Sequence, residues 1–261
     1  MSDPFHDLEE ALAETSSASV PPHLIHLDLD REDRTGIPEV ILAEGKDAST
    51  ILVITQTFLE ERGRAILSQV RPSVLRGLRD YFADHRVDEY PRARMAVVRR
   101  PDYLPRPTGG RVGIVSAGTA DVPYAEQASV MAEEMGCETS LVYDVGVAGL
   151  HRLVAPLRRL IMDERVDALI VAAGMDGALP SVVAGLVDVP VIGLPTSAGY
   201  GMAGKGVAAV LAMLQTCVPG LTVVNIDNGV GAGAGAARIA NRLAAARAGI
   251  EIAELPASGT A

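Results

Sequence analysis

From Arg111 onward the chain alternates short apolar runs with longer segments of helical periodicity. The runs are "RVGIVSAG", "TSLVYDVG", "DALIVAAG", "VPVIGLPTS" and "LTVVNIDNG". They are rich in Val, Ile and Leu and largely apolar on both faces, as expected of strands covered on two sides. Helical patterns fill residues 123–135, 147–164, 178–187, 206–217 and 231–248. A strand followed each time by a helix predicts right-handed βαβ units and a doubly wound parallel sheet, hence an α/β fold.

The first hundred residues read differently. "PEVILAEG" predicts a strand, followed by a helix through about Arg62, a second helix around Pro72 to Phe82 and a strand in "RARMAVVRR", residues 92–100. These make a small N-terminal α+β unit, assigned to 37–108. "RPDYLPRPTGG" closes it, because three prolines and two glycines continue neither a helix nor a central strand. The α/β domain is assigned to 109–250 and a tail to 251–261. Residues 1–36 hold an acidic stretch, a Ser/Ala run and Pro21-Pro22, and are expected to form a mobile arm.

Composition narrows the picture. Hydrophobic residues are 48% of the chain but aromatics only 3%, without Trp, so the core must be Val, Ile, Leu, Ala and Met. The formal charge is −10, and residues 1–34 supply −7 of it through nine acids against Arg31 and Arg34. An acidic chain without a basic stripe argues against nucleic acid. No apolar run approaches the roughly 20 residues of a membrane span, and the acidic start is unlike a secretory leader. Cys137 and Cys217 stand 80 positions apart, a spacing that matches no metal or redox motif. A reduced, cytoplasmic protein is expected.

In a doubly wound sheet the ligand lies outside the carboxyl ends of the strands, so the turns there define the search. "SAGTADVPYAEQ" offers Ser116, Gly118, Thr119 and free backbone N–H groups to a phosphate, although it is neither G-x-G-x-x-G nor a P-loop. Asp121 in it is either a ligand contact or a helix cap. "YDVGVAGLHR" puts Asp144 at a strand end, with His151 and Arg152 either on a solvated helix face or against substrate. "AAGMDGALPSVVAG" sets Asp176 between Gly174 and Gly177, as a turn former or as a general base whose carboxyl is raised by desolvation.

"PTSAGYGMAGKG" reads as a glycine-rich loop able to close over a ligand, with Ser197, Gly199, Tyr200 and Gly201 as candidate contacts and Lys205 as a phosphate partner. "NIDNGVGAGAGAA" offers Asn225, Asp227 and Asn228, followed by glycines that permit either close helix packing or anion approach. In "AVLAMLQTCVPG" the periodicity places Cys217 in the last turn of a helix. That position suits core filling, and the helix C-terminus disfavours a thiolate.

Taken together, "RVGIVSAGTADVPYAEQA", "YDVGVAGLHRL", "AAGMDGALPSVVAGLV", "VPVIGLPTSAGYG" and "AMLQTC…VVNIDNGVGA" resemble the nickel-pincer-nucleotide biosynthesis carboxylase/hydrolases, the LarB family, relatives of the PurE-type aminoimidazole ribonucleotide carboxylases. "DREDRTGIPEVILAEGK" and "RARMAVV" fit the N-terminal part of that family, so the likeness spans about residues 36–240. The resemblance implies a PurE-like sheet with flavodoxin-like layers and a homo-oligomer, an octamer. It implies carboxylation of nicotinic acid adenine dinucleotide by CO2 or bicarbonate and cleavage of its phosphoanhydride, giving pyridinium-3,5-biscarboxylic acid mononucleotide and AMP. No tightly bound cofactor is implied, and Mg2+ is left open.

The resemblance also assigns roles. Cys217 matches the cysteine that adds covalently to the pyridinium ring, and Asp176 matches the acidic residue of "GM(E/D)GALPS", where many members carry the longer Glu. The alternatives are an aminoimidazole ribonucleotide carboxylase or mutase, and a non-catalytic nucleotide-binding protein. The former carry a His-bearing "GxxHLPGM"-like turn where this chain has "GMDGALPS".

Overall fold

Apolar runs without polar alternation need cover on both faces, and a parallel sheet between helix layers supplies it. The computed structural model describes residues 27–249 and resolves two units, one ending at Leu104 and one beginning at Pro105.

In the first unit β1 (Val40–Leu42), β2 (Arg64–Ser68), β3 (Arg86–Tyr90) and β4 (Met95–Arg99) form a sheet of order β1-β2-β4-β3. β1 and β2 are parallel, and the other pairs are antiparallel. α2 (Ala48–Arg62) and α3 (Pro72–Tyr81) complete a core containing Ile51, Phe58, Leu59, Leu67, Leu78 and Val98. Asp47 caps α2 by accepting the Thr50 N–H at 2.7 Å. β2 and β3 are additions to the elements expected from sequence. β2 is buried along its whole length but short, and β3 is a polar edge strand without an apolar run.

The acidic segment is also more ordered than expected at its end. A short helix, α1 (Arg31–Thr35), follows Leu27 and Leu29, which pack on this core. Glu32 pairs with Arg64 at 2.7 Å, and Asp33 with Arg62 at 2.8 Å. Apolar anchors and ion pairs to α2 and β2 therefore hold residues 27–36 to the unit. Residues 1–26 of the expected mobile arm, and the tail assigned to 251–261, lie outside the described residues.

In the second unit all five expected strands form: β5 (Arg111–Ser116), β6 (Glu138–Val142), β7 (Ala168–Ala173), β8 (Val191–Pro195) and β9 (Leu221–Val223). They are parallel throughout, in the order β6-β5-β7-β8-β9. α4 (Val122–Glu134), α5 (His151–Arg158), α6 (Ala178–Ala184), α7 (Val207–Leu214) and α8 (Gly229–Arg247) connect and cover them. The glycines opening α8 serve packing: a Cβ on Gly233 would stand 2.4 Å from the Ala128 carbonyl of α4, and one on Gly229 2.4 Å from that of Tyr124.

Three helices are shorter than their periodicity suggested, α6 ending at Ala184 in place of 187. α5 contains Pro156, and beyond Arg158 the chain continues as a π-turn over Arg159–Asp163. α7 stops at Leu214, so Cys217 lies three residues beyond it in an irregular turn and is exposed. This corrects its placement as a helical core residue. Beyond Gln215 the Thr216 N–H reaches only the Met213 carbonyl at 3.4 Å, and the Val218 N–H goes to Thr216 Oγ1 at 3.2 Å in place of a helical carbonyl.

Candidate functional site

The strand order reverses at β5 and β7, so the topological switch point lies between the turns after Ser116 and after Ala173. Asp121 holds this point together. It is buried; its Oδ2 accepts the Gly118 N–H at 2.8 Å, and its Oδ1 accepts the Gly174 N–H at 2.9 Å and the Thr196 hydroxyl at 2.5 Å. One carboxylate thus fixes the turns after β5, β7 and β8. Its side chain does not cap α4 itself; through the Gly118 N–H it closes the capping box of the short 3-10 turn Thr119–Asp121 that leads into α4. Burial raises its carboxyl above the ordinary aspartate value, with the Asp227 charge adding; the bonds from Thr196, Gly118 and Gly174 act in the opposite sense.

The neighbouring turns are fastened similarly. Ser116 is buried, and its hydroxyl accepts the Asp144 N–H at 3.3 Å. Asp227 accepts the Ser197 N–H at 2.7 Å, and the Ser197 hydroxyl meets Tyr124 Oη at 3.1 Å. Gly174 and Gly177 are required by close approach, since a Cβ on Gly174 would lie 2.1 Å from the Ala198 carbonyl and one on Gly177 2.6 Å from that of Ala209. Thr196 escaped the sequence reading; its only signal was a small hydroxyl residue ending an apolar strand.

On this frame Thr119, Asp144, Asp176, Gly199, Tyr200 and Gly201 are exposed at the carboxyl edge of the sheet, and Gly118 and Ser197 are half-buried. Asp144 adopts φ 59° and pairs with Arg152 at 3.0 Å, so Arg152 is engaged within the edge itself. Asp176 is open to solvent and accepts the Ala178 N–H at a long 3.4 Å. The burial expected for it at the strand end is not supplied by its own chain.

Cys217 is not at this edge. Register pairs Val191 with Leu221 at the amino ends of β8 and β9, and Cys217 precedes Leu221 by four residues. Asp176 instead follows Ala173, which pairs with Pro195 at the carboxyl ends. A six-residue strand separates the two edges by about 16 Å. The same separation appears along α6: Asp176 precedes its first turn, whereas Val218 lies 3.9 Å from the Cβ position of Gly185, just past its end.

Cys137 is buried and meets Asn241 Oδ1 at 3.1 Å. Burial pushes its thiol up to about 12, which marks it as structural. A polar cavity of about 370 Å³ lined by Arg111, Glu138, Ser140, Asp163 and Glu164 gathers none of the expected site residues. Among the described residues no cluster of three or more His, Cys, Asp or Glu is arranged to hold a metal ion, and no helix is long and apolar enough to cross a membrane.

Comparison with known proteins now bears on this edge. The AIR carboxylase family model matches residues 111–252, and a LarB/PurE-like N-terminal domain model matches 22–100. The chain is a LarB-type member of the AIR carboxylase family. An uncharacterised protein of Methanocaldococcus jannaschii is 42% identical over 221 residues, covering 83% of this chain and 84% of that one. An N5-carboxyaminoimidazole ribonucleotide mutase from the same organism is 33% identical over 118 residues, 44% of this chain and 69% of that one. One from Thermotoga maritima is 30% identical over 88 residues, covering 33% and 49%. The parallel sheet with helices on its faces is the expected PurE-like α/β fold, and AIR carboxylase family membership makes a carboxylase-type enzyme the supported class.

Proposed function

We propose that this protein carboxylates the pyridinium ring of nicotinic acid adenine dinucleotide and hydrolyses its phosphoanhydride, yielding pyridinium-3,5-biscarboxylic acid mononucleotide and AMP. The observation that carries this reading is the exposed Cys217 thiol, in a family member whose "GMDGALPS" turn offers an exposed carboxylate and no His.

The ring dictates the chemistry. A pyridinium is electrophilic and does not attack CO2, but adding the Cys217 thiolate makes it an enamine-like dihydropyridine with a nucleophilic carbon. That carbon forms the new bond to CO2, then loses its proton to Asp176. The electron pair released expels the thiolate and restores the aromatic ring. Addition to a cation neutralises the attacking charge as the adduct forms. Asp144 balances the ring's positive charge, and Thr119, Gly118 and the loop from Ser197 through Tyr200 to Gly201 border the nucleotide. Water adds to the phosphoanhydride in a separate step that releases AMP.

Incubation with the dinucleotide and bicarbonate, followed by mass spectrometry, is expected to give AMP and the dicarboxylated mononucleotide. Cys217→Ser is expected to abolish carboxylation, and near-normal turnover in that variant would refute the covalent step. A second reading, turnover of aminoimidazole ribonucleotide or its N5-carboxy derivative, draws support from the mutases similar over part of this chain and from the AIR carboxylase family model over residues 111–252. That substrate is already a nucleophilic enamine, so its turnover would be indifferent to Cys217→Ser.

A further inference from the structure

Met175 occupies a position whose backbone favours glycine. It lies between Gly174 and Asp176 in the turn after β7, the central strand of the second unit's sheet, and its φ is 50°. Asp144 and Asp227, in the turns after β6 and β9, share this left-handed conformation at 59° and 60°, but aspartate is among the residues that tolerate it. Methionine is not. The surroundings hold it there: its N–H donates to the Ala198 carbonyl at 2.8 Å, the Gly177 N–H donates to the Gly174 carbonyl at 2.8 Å, and Gly174 is itself tied to Asp121.

Packing does not explain the side chain either. Leu179 and Val183 of the same motif are buried in the core of the unit, whereas Met175 is 43% exposed. A long apolar chain is therefore kept in a strained turn and in contact with water, next to the carboxylate that takes the ring proton. Strain of this kind at a ligand edge points to function. A thioether is apolar, polarisable and able to follow the shape it meets, and its sulfur sits favourably against aromatic rings. It carries no charge and does not compete with Asp176 for a proton. We propose that Met175 contacts the substrate, its thioether forming the apolar wall against which the reacting heterocycle lies beside Asp176. The inference rests on the reading that this heterocycle is the pyridinium of the dinucleotide, and it assigns the residue that selects for a flat ring there.

Oxidation footprinting tests the contact without turnover. Dilute hydrogen peroxide converts an accessible methionine to its sulfoxide, which peptide mass mapping locates. Without ligand, Met175 is expected to oxidise, as is Met162, exposed in the π-turn that precedes β7 and used as the internal reference. The dinucleotide is expected to protect Met175 and not Met162, and AMP, which lacks the ring, to protect neither. A Met175 that resists peroxide without ligand, or that AMP protects as well as the dinucleotide does, would overturn the proposal. Aminoimidazole ribonucleotide separates the two ways of failing. Protection by it and not by the dinucleotide would leave Met175 as the ring wall and sink only the assigned reaction; protection by neither ring would overturn the proposal. Met175→Gly relieves the backbone and removes the wall, so Tm is expected to hold or rise while KM for the dinucleotide rises about five- to tenfold, as loss of a sulfur–aromatic contact predicts. Met175→Leu keeps the apolar bulk and is expected to stay within about twofold of the wild-type KM. A Met175→Gly protein with lowered Tm and unchanged KM would assign the residue to the turn alone and overturn the proposal.

Discussion

The Gly174 N–H donates to Asp121 Oδ1 at 2.9 Å, so a carboxylate following β5 determines where the turn after β7 can stand. Asp176 sits two residues further along that turn, and its position is thereby tied to a buried group that never needs to touch substrate.

Asp121→Asn turns one acceptor into a donor facing other donors, and an unsatisfied buried group costs about 1–3 kcal/mol. For a unit of this size that is about 2–4 °C in Tm per kcal/mol, readable by calorimetry. The pH dependence has a defined sign. Because burial raises the folded carboxyl, the folded state holds its proton more tightly than the unfolded chain. The resulting contribution is complete below the unfolded value of 3.8 and is lost as pH rises through the raised folded one. The stability of wild type relative to Asp121→Asn is therefore expected to fall with rising pH across that window and then level. A difference that grew with pH would contradict the assignment.

Gly174→Ala and Gly201→Ala separate space from backbone strain. The first puts a methyl 2.1 Å from the Ala198 carbonyl and 2.7 Å from Thr196 Oγ1, so the turns after β7 and β8 must part. Gly201 has open space within 4 Å and only its φ of +65° against it, a cost of about 1–2 kcal/mol. Gly174→Ala is expected to lose more stability in urea unfolding and to abolish turnover, whereas Gly201→Ala should fold well. Equal losses would show that the close approach is not what Gly174 provides.

The two cysteines are expected to label differently. Cys217 is exposed and should react with iodoacetamide in the native protein, whereas Cys137 is buried with its thiol pushed up to about 12. Burial disfavours the Cys137 thiolate, so the thiol would react slowly at pH 8 even if reagent reached it. Peptide mass mapping should find Cys217 modified first and Cys137 only in denaturant. Rapid native labelling of Cys137 would refute its structural role.

Cys217 also shows where sequence alone stops. The strands of the second unit were legible because burial on two faces writes an uninterrupted apolar run, as in Ala168–Ala173. The turns were legible because a ligand edge concentrates Gly, Ser and Asp. β3 left no such trace, since an edge strand reading "RVDEY" has polar residues at every other contact. Periodicity carried α7 through Cys217, because apolar spacing does not register that the hydrogen-bond ladder ends at Gln215 and that the Val218 N–H turns to the Thr216 hydroxyl. Nor does it tell which edge of the sheet a residue occupies. That information lies in strand register, and it separates Cys217 from Asp176 within one chain.

Asp144 provides the test for charge at the carboxyl edge. Its ion pair with Arg152 at 3.0 Å joins two side chains each about half exposed, and such pairs contribute about 0–1 kcal/mol. Asn tolerates the left-handed conformation that Asp144 adopts at φ 59°, so Asp144→Asn removes the charge while preserving the turn. If Asp144 balances the pyridinium, losing it weakens binding by about 1 kcal/mol, a five- to tenfold rise in KM. Stability should change by less than about 0.5 kcal/mol, as for other surface substitutions. Arg152→Ala, which leaves the carboxylate free to face the ring, should lower KM or leave it unchanged. An Asp144→Asn protein with unchanged KM but a lowered Tm would instead assign the pair to holding the β6 turn against α5.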